Sequence, residues 1–287
     1  MRTEALRAAA LPGTFVLLWS TGFLGARYGL PWADPLTLLA LRLGLVALLM
    51  GAIAWIGGAP WPARGGEARR VATAGLLVHA VYLGGVFEAI ALGLPAGTTA
   101  VIVGLQPLLT AVLAFFWLGE RPGPRVLAGL VIGFAGVALV VHDRVAISGV
   151  PAGALACAVA ALLGITVGTL YQKRHCGGMD LRSGTSLQYA ASALVLALLA
   201  LLLEPMRVVW TAEFVFALAW LCLVLSVGAV LLLFILIRRG AASRVASLFY
   251  LVPPVTTLLD HWLFGTPLGP ATLAGTALAA LGVLLSR

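Results

Sequence analysis

Ten runs of apolar residues, each about the length of a bilayer-crossing helix, alternate along the chain with short polar, Gly- and Pro-rich breaks. A spanning helix needs ~20 mostly apolar residues, with ~17 as the lower limit. On that rule the runs cover residues 11–29, 36–56, 71–92, 97–118, 126–142, 150–171, 184–203, 214–237, 243–264 and 271–286, the fifth and tenth being shortest. The breaks, such as Gly119-Glu120-Arg121-Pro122-Gly123-Pro124 and Gly265-Thr266-Pro267-Leu268-Gly269-Pro270, are turn sequences that join antiparallel neighbours. The longest, residues 57–70, holds Pro60, Pro62 and Gly65-Gly66 and is expected to lack structure of its own.

The pattern repeats. Sliding the sequence by 146 positions lays residues 96–141 on 242–287 without a gap. Pro107 then falls on Pro253, Gly119 on Gly265, Gly123-Pro124 on Gly269-Pro270, Leu127-Ala128-Gly129 on Leu273-Ala274-Gly275, and Gly136 on Gly282. Matching Gly and Pro punctuation points to duplication, with repeats at 1–142 and 147–287. Each repeat holds five spans, an odd number, so the second copy enters the membrane from the opposite side. The expected fold is all-α and integral to the membrane: ten transmembrane helices as two inverted five-helix repeats around a central cavity, the plan of many secondary transporters.

Composition agrees. The chain is 62% hydrophobic and 10% charged, against about 25% charged in soluble domains. The formal charge of +8 does not indicate nucleic acid, because the basic residues sort to one side of the bilayer. With the N-terminus in the cytoplasm, fourteen Lys and Arg fall in inner segments and two, Arg144 and Arg207, in outer loops. This puts both termini in the cytoplasm, and the use of seventeen Arg to one Lys with a bias to Ala, Leu and Gly points to a bacterial genome, so a bacterial inner membrane is expected. The first apolar run is expected to stay as a span, since no cleavage site follows it. Cys157, Cys176 and Cys222 show no metal or disulfide spacing, and neither a metal nor another cofactor is expected. No GxSxG, HExxH or P-loop motif is present, which argues against an enzyme and against ATP as the driving force.

The run Ala91-Leu92-Gly93-Leu94-Pro95-Ala96-Gly97-Thr98-Thr99-Ala100, followed by Gln106-Pro107, Gly119-Glu120-Arg121, Gly129, Gly133 and Gly136, resembles the repeat motif of the drug/metabolite transporter superfamily, specifically its EamA-type ten-helix exporters. The second copy, from Gly240 through Arg244 and Pro253 to Gly282, is similar but has Thr266 where the family usually carries Glu. Trp19-Ser20 and Leu41-Arg42 extend the resemblance into the first two spans. It implies export of a small organic solute by alternating access, with amino-acid exporters, including an aromatic-amino-acid branch, as the nearest members. A multidrug or other metabolite carrier is the alternative, and a non-transporting scaffold or receptor the alternative outside transport.

Ionisable residues within a span cost roughly 2.5–3.5 kcal/mol on insertion scales, so each needs a reason. Counting ~1.5 Å per residue places His79 near the midplane, and Arg27, Arg42, Glu88, Asp260 and His261 in the outer part. Arg42 is a candidate ligand for a solute carboxylate, and the 146-residue offset sets Gln188 opposite it. Glu88, Asp260 and His261 are candidates either for proton coupling or for ion pairs that pin helices together. Pro107 and Pro253 each remove a backbone donor midway along a span and are expected to kink it. Trp19, Ser20, His79, Tyr82, Gln106, Ser226 and Tyr250 fall near that depth. Of these, Trp19, His79, Tyr82, Gln106, Ser226 and Tyr250 are, with Arg42, the candidate solute-binding set, though buried tyrosines serve equally well as packing. Small residues at Gly129, Gly133, Gly136, Gly275 and Gly282 permit close helix contact, either internally or with a second subunit.

Overall fold

The computed structural model describes residues 2–62, 65–118, 123–229, 232, 236 and 247–285. Glu120, Arg121, Arg244 and Arg287 of the motif and charge assignments therefore lie outside the described residues, as does the side chain of Tyr250. Among the described residues every regular element is helical, apart from one isolated bridge between Ala33 and Val208. Helices α1 (Arg2–Gly29) and α2 (Pro35–Ile56) are followed by α3 (Gly65–Ala91), whose middle, Leu76–Val81, is π-helical. The next span is split into α4 (Ala96–Val103) and α5 (Gln106–Leu118). Then come α6 (Pro124–Ser148), α7 (Ala152–His175), α8 (Leu181–Leu203) and α9 (Ala212–Ala229), π-helical from Trp220. A 3₁₀ turn, Ser247–Leu251, leads into α10 (Val252–Phe264), and α11 (Pro270–Leu285) ends the series. Among the described residues, seven stretches are long and apolar enough to cross a membrane by length and composition: Pro35–Ile56, Gly65–Ala91, Ala96–Leu113, Pro124–Asp143, Ala152–His175, Leu181–Leu203 and Ala212–Ala229.

One expectation is corrected: the long connection is not wholly irregular, since Gly65 and Gly66 already belong to α3. The helix of the fifth span runs on beyond its apolar stretch: α6 has 25 residues, of which Pro124–Asp143 are apolar enough to cross a membrane, and the Thr272 hydroxyl donates to Asp143 Oδ2 at the end of that stretch.

The helices form two compact units. One comprises residues 27–92 and 153–218. In it α2 and α8, which the 146-residue offset superposes, pack antiparallel. At one end of the pair the Arg182 Nη1 donates to the Gly57 carbonyl at 3.1 Å. At the other end the Glu204 carboxylate accepts from the Leu36 and Thr37 backbone N–H groups, at 2.7 and 2.9 Å, and from the Thr37 hydroxyl, at 2.8 Å. The first N–H groups of any helix lack intrahelical partners, and a carboxylate there also meets the positive end of the helix dipole. Glu204 thus caps α2 from the far end of its partner. Asp180 caps α8 locally, accepting from the Arg182 N–H at 2.8 Å.

Within the same unit α7 reaches the π segment of α3 through Gly164 and Gly168. A Cβ on Gly168 would sit 2.6 Å from Val78 Cγ2, and one on Gly164 would sit 2.8 Å from Val81 Cγ1, so only glycine allows this approach. Gly75 likewise rests on the backbone of Gln188, with 2.6 Å between its would-be Cβ and the Gln188 Cα.

The other unit comprises residues 1–26, 93–152 and 219–287. Here α6 and α11, again related by the offset, run antiparallel with backbones in contact: Gly136 meets Gly275 and Ala279, and Gly282 meets Gly129 and Gly133. The break between α4 and α5 falls at Gly104-Leu105, immediately before Gln106-Pro107. The 3₁₀-to-α change at Leu251, immediately before Val252-Pro253, lies 146 residues further on. Gly104 packs against the Pro253 ring, and Gly22 and Gly25 of α1 pack against Leu225 and Leu221 in the π segment of α9. That segment, Trp220–Ala229, contains the positions that the offset derives from Leu76–Val81.

Candidate functional site

A polar cluster lies within the unit of residues 27–92 and 153–218. Arg42, one-third of the way along α2, is buried at 4% exposure. Its charge acts on both His79 and Tyr82 of α3. His79 sits inside the π segment and Tyr82 begins the α turn that follows it. A π turn carries an extra residue, which rotates the following side chains relative to a regular helix, and such turns recur at functional sites. The His79 ring lies 4.3 Å from the Tyr189 ring between centroids, at 31°, and hydrogen-bonds the Gln188 side chain. Gln188 Nε2 in turn donates to Gln172 Oε1 at 3.4 Å, and the Ser192 hydroxyl donates to the Gln188 carbonyl at 2.8 Å. Four helices thus contribute a buried cation, two rings in tilted contact, a second phenol and two amides.

The chemistry available is specific. A guanidinium offers a planar fork of donors that matches a carboxylate, and in a low-dielectric setting that pairing is strong. The stacked rings supply apolar area, and the amides orient polar atoms. Neither Tyr189 nor Gln172 stands out in the apolar pattern. The signal that would have found Tyr189 is the run of polar residues in the first turns of α8, where Ser183, Ser186, Gln188, Tyr189 and Ser192 are all buried; Gln172, near the end of α7, carries no such signal.

The other predicted positions fall elsewhere. Trp19, Gln106 and Ser226 belong to the second unit, as do the backbone positions of Pro107, Tyr250 and Pro253. Trp19 packs with Phe15 and Phe249, with ring centroids 5.4 and 5.0 Å away, and Ser20 donates to the Val252 carbonyl at 3.4 Å. Ser226 donates to the Leu221 carbonyl at 3.0 Å, closing the π turn. Gln106 opens α5, with Pro107 next to it in the first turn; Pro253 holds the corresponding place in α10. Glu88 is half-buried in α3, where the charge of Glu204 reaches it. Asp260 is buried in α10 and its Oδ2 accepts from the Gly97 N–H at 3.3 Å. The neighbouring His261 has its Nδ1 2.7 Å from the Thr266 carbonyl oxygen, in the turn that ends the helix.

Comparisons with known proteins supply the family. The chain is 29% identical over 197 residues to an uncharacterized transporter, YvbV, of Bacillus subtilis (strain 168), a match covering 67% of this chain and 63% of that one. It is 27% identical over 198 residues to a probable terminal-alkyne amino-acid exporter of Streptantibioticus cattleyicolor, covering 67% and 64%. In both matches the aligned stretch is less than two thirds of the relative's own length. A protein of known crystal structure, 22% identical, shares the fold with a TM-score of 0.65 over 98% of this chain and 97% of its own. The EamA-like transporter family model matches twice, at residues 11–142 and 152–287. Two family matches that together take in nearly all of the chain, on an all-helical frame with several membrane-length helices, establish that this protein belongs to the EamA-like transporter family.

Proposed function

We propose that the protein is a secondary transporter of a bacterial inner membrane that exports a small organic solute, an amino acid or related metabolite, by alternating access. The observation that carries this reading is Arg42, a cation buried within an apolar helix, whose charge reaches His79 and Tyr82, with Tyr189 and Gln188 against His79. An ionisable residue at such a place is costly unless it serves the pathway. The solute class is supported by the arginine fork beside stacked rings, which suits a carboxylate joined to an apolar or aromatic group, and by the relative named as an amino-acid exporter. Ten spans in two inverted repeats are supported by the antiparallel packing of α2 on α8 and of α6 on α11, each pair related by the 146-residue offset. Cytoplasmic termini are supported by the bias of Lys and Arg.

The test is counterflow in proteoliposomes loaded with single solutes from a panel: aromatic, aliphatic and acidic amino acids, a dicarboxylate and a lipophilic cation. Saturable exchange of one or more amino acids, absent from protein-free vesicles, is the expected result. Exchange of the lipophilic cation alone would favour the multidrug reading, and no exchange of any solute would favour the scaffold reading.

A further inference from the structure

At one end of the unit of residues 27–92 and 153–218 the start of α3 meets the end of α7, and exposed cations collect there. Val71 and Ala74 of α3 form a buried apolar cluster with Cys176, the residue after α7, and Tyr171 of α7 packs against it. The Cys176 N–H donates to the Gln172 carbonyl at 2.9 Å, which closes the last turn of α7. Arg69 and Arg70 immediately precede Val71, and Lys173, Arg174 and His175 immediately precede Cys176, so burial of the apolar cluster brings two basic runs together. The charge of Arg70 reaches the Cys176 thiol across the junction. All five basic side chains are exposed, and the His175 ring lies 4.6 Å from the Tyr171 ring between centroids.

The charge at this end is unbalanced. Among the described residues the carboxylates that the same helix ends supply are Glu67, in the first turn of α3, and Asp180, the cap of α8. Asp180 is taken by Arg182, which donates to it from Nη2 at 3.0 Å and from Nε at 3.2 Å. Arg69, Arg70, Lys173 and Arg174 form no ion pair with any described residue. The dipole of α7 accounts for Lys173 and Arg174, since cations are favoured at a helix C-terminus. It does not account for Arg69 and Arg70, which lie near the positive end of α3. Like charges gathered on two packed helix ends repel one another, and an anion from outside the chain relieves them.

The level of the cluster indicates which anion. Gly65–Ala91 begins here, Ala152–His175 ends here and Leu181–Leu203 begins here, all stretches of membrane length. The end of α2 lies at the same level, where the Gly57 carbonyl accepts from Arg182. Trp61 is exposed beside Pro60, whose carbonyl accepts from the Ser183 hydroxyl of α8, and exposed tryptophans at span ends sit among lipid headgroups.

We propose that Arg69, Arg70, Lys173 and Arg174 bind the headgroup of an anionic phospholipid in the leaflet that surrounds this end of the unit. Guanidinium forks match phosphate oxygens in bidentate fashion, and the lysine adds a point charge. Basic clusters between spans at the membrane surface recognise such headgroups. A headgroup held there ties the start of α3, which carries His79 and Tyr82, to the end of α7, which carries Gln172. The binding does not depend on which solute the protein moves.

Native mass spectrometry of the full-length protein tests this, with the protein in detergent equilibrated against equal amounts of phosphatidylglycerol and phosphatidylcholine of the same acyl chains. The wild type is expected to retain phosphatidylglycerol over phosphatidylcholine by on the order of ten-fold. Arg69→Gln with Arg70→Gln, or Lys173→Gln with Arg174→Gln, is expected to cut that preference about three-fold or more, and all four together to abolish it. Arg69→Lys with Arg70→Lys keeps the charge and most of the preference. The control, Arg125→Gln with Arg207→Gln, removes two cations elsewhere, one at the start of α6 in the other unit and one beside Asp34, and is expected to bind like the wild type. Circular dichroism of the same samples is expected to be unchanged, because the four side chains are exposed. A wild type that retains both lipids equally, or a control that loses as much preference as the cluster variants, would overturn the proposal. Displacement of the bound lipid by millimolar inorganic phosphate would overturn it too, since the site would then be one for a soluble anion.

Discussion

Arg42→Met is expected to abolish measurable counterflow of the amino acids that the wild type exchanges. Truncating one member of a buried charge pair costs about 2–5 kcal/mol, which corresponds to roughly 30- to 4000-fold weaker affinity at ~1.4 kcal/mol per decade. The methionine keeps much of the length of the arginine side chain, so the packing of α2 against α8 is disturbed little. Arg42→Lys is expected to fall between the two, because an ammonium keeps the charge but loses the planar fork. Half-saturation concentrations in counterflow measure the effect, and thermal unfolding in detergent shows whether the fold is intact. An Arg42→Met protein that is folded and exchanges amino acids with unchanged half-saturation would remove Arg42 from the site.

The second large effect is expected at Glu204, and it is one of stability. Three donors at the start of α2 converge on this carboxylate, and hydrogen bonds to charged groups contribute about 1.5–3 kcal/mol each before water replaces them. Part-burial limits that replacement, so Glu204→Ala should lower the thermal unfolding midpoint by several degrees. Glu204→Gln, which retains one carbonyl acceptor but no charge, should lower it by less. Equal midpoints for all three proteins would mean that water caps α2 as well as Glu204 does.

The spans were legible in the sequence because lipid imposes a composition: residues 36–56 or 184–203 can be little else than membrane helix. Their interruptions were legible only in part. Pro107 and Pro253 announce themselves, since proline removes a donor, and the breaks fall just before them. The π segments left no such mark. Leu76–Val81 is ordinary apolar sequence, and what lies against it are glycines a long way off in the chain, Gly164 and Gly168. In the same way Leu221 and Leu225 look unremarked until Gly22 and Gly25 are found against them.

The candidate site was legible to the same mixed degree. Arg42 and His79 are conspicuous in apolar runs because charge in lipid demands a reason. Gln172 was hidden because it lies near the end of a span, where polar residues normally meet the headgroups, and Tyr189 because a tyrosine within a span serves equally well as packing. Counting along the helices sets Trp19, Gln106 and Ser226 at the depth expected for His79; they lie in the unit of residues 1–26, 93–152 and 219–287 and His79 in the other.

The central claim, that the cluster around Arg42 holds the solute, is tested most directly by protection of a single cysteine at its edge. Gln172→Cys, in a background with Cys157, Cys176 and Cys222 replaced, puts a thiol where Gln172 meets Gln188. In proteoliposomes, a saturating concentration of an exchanged amino acid should slow its reaction with a small uncharged maleimide several-fold, while leaving a control cysteine at the exposed Gly66 unaffected. Equal rates at Gln172→Cys with and without the amino acid, in a protein that still exchanges it, would contradict the account.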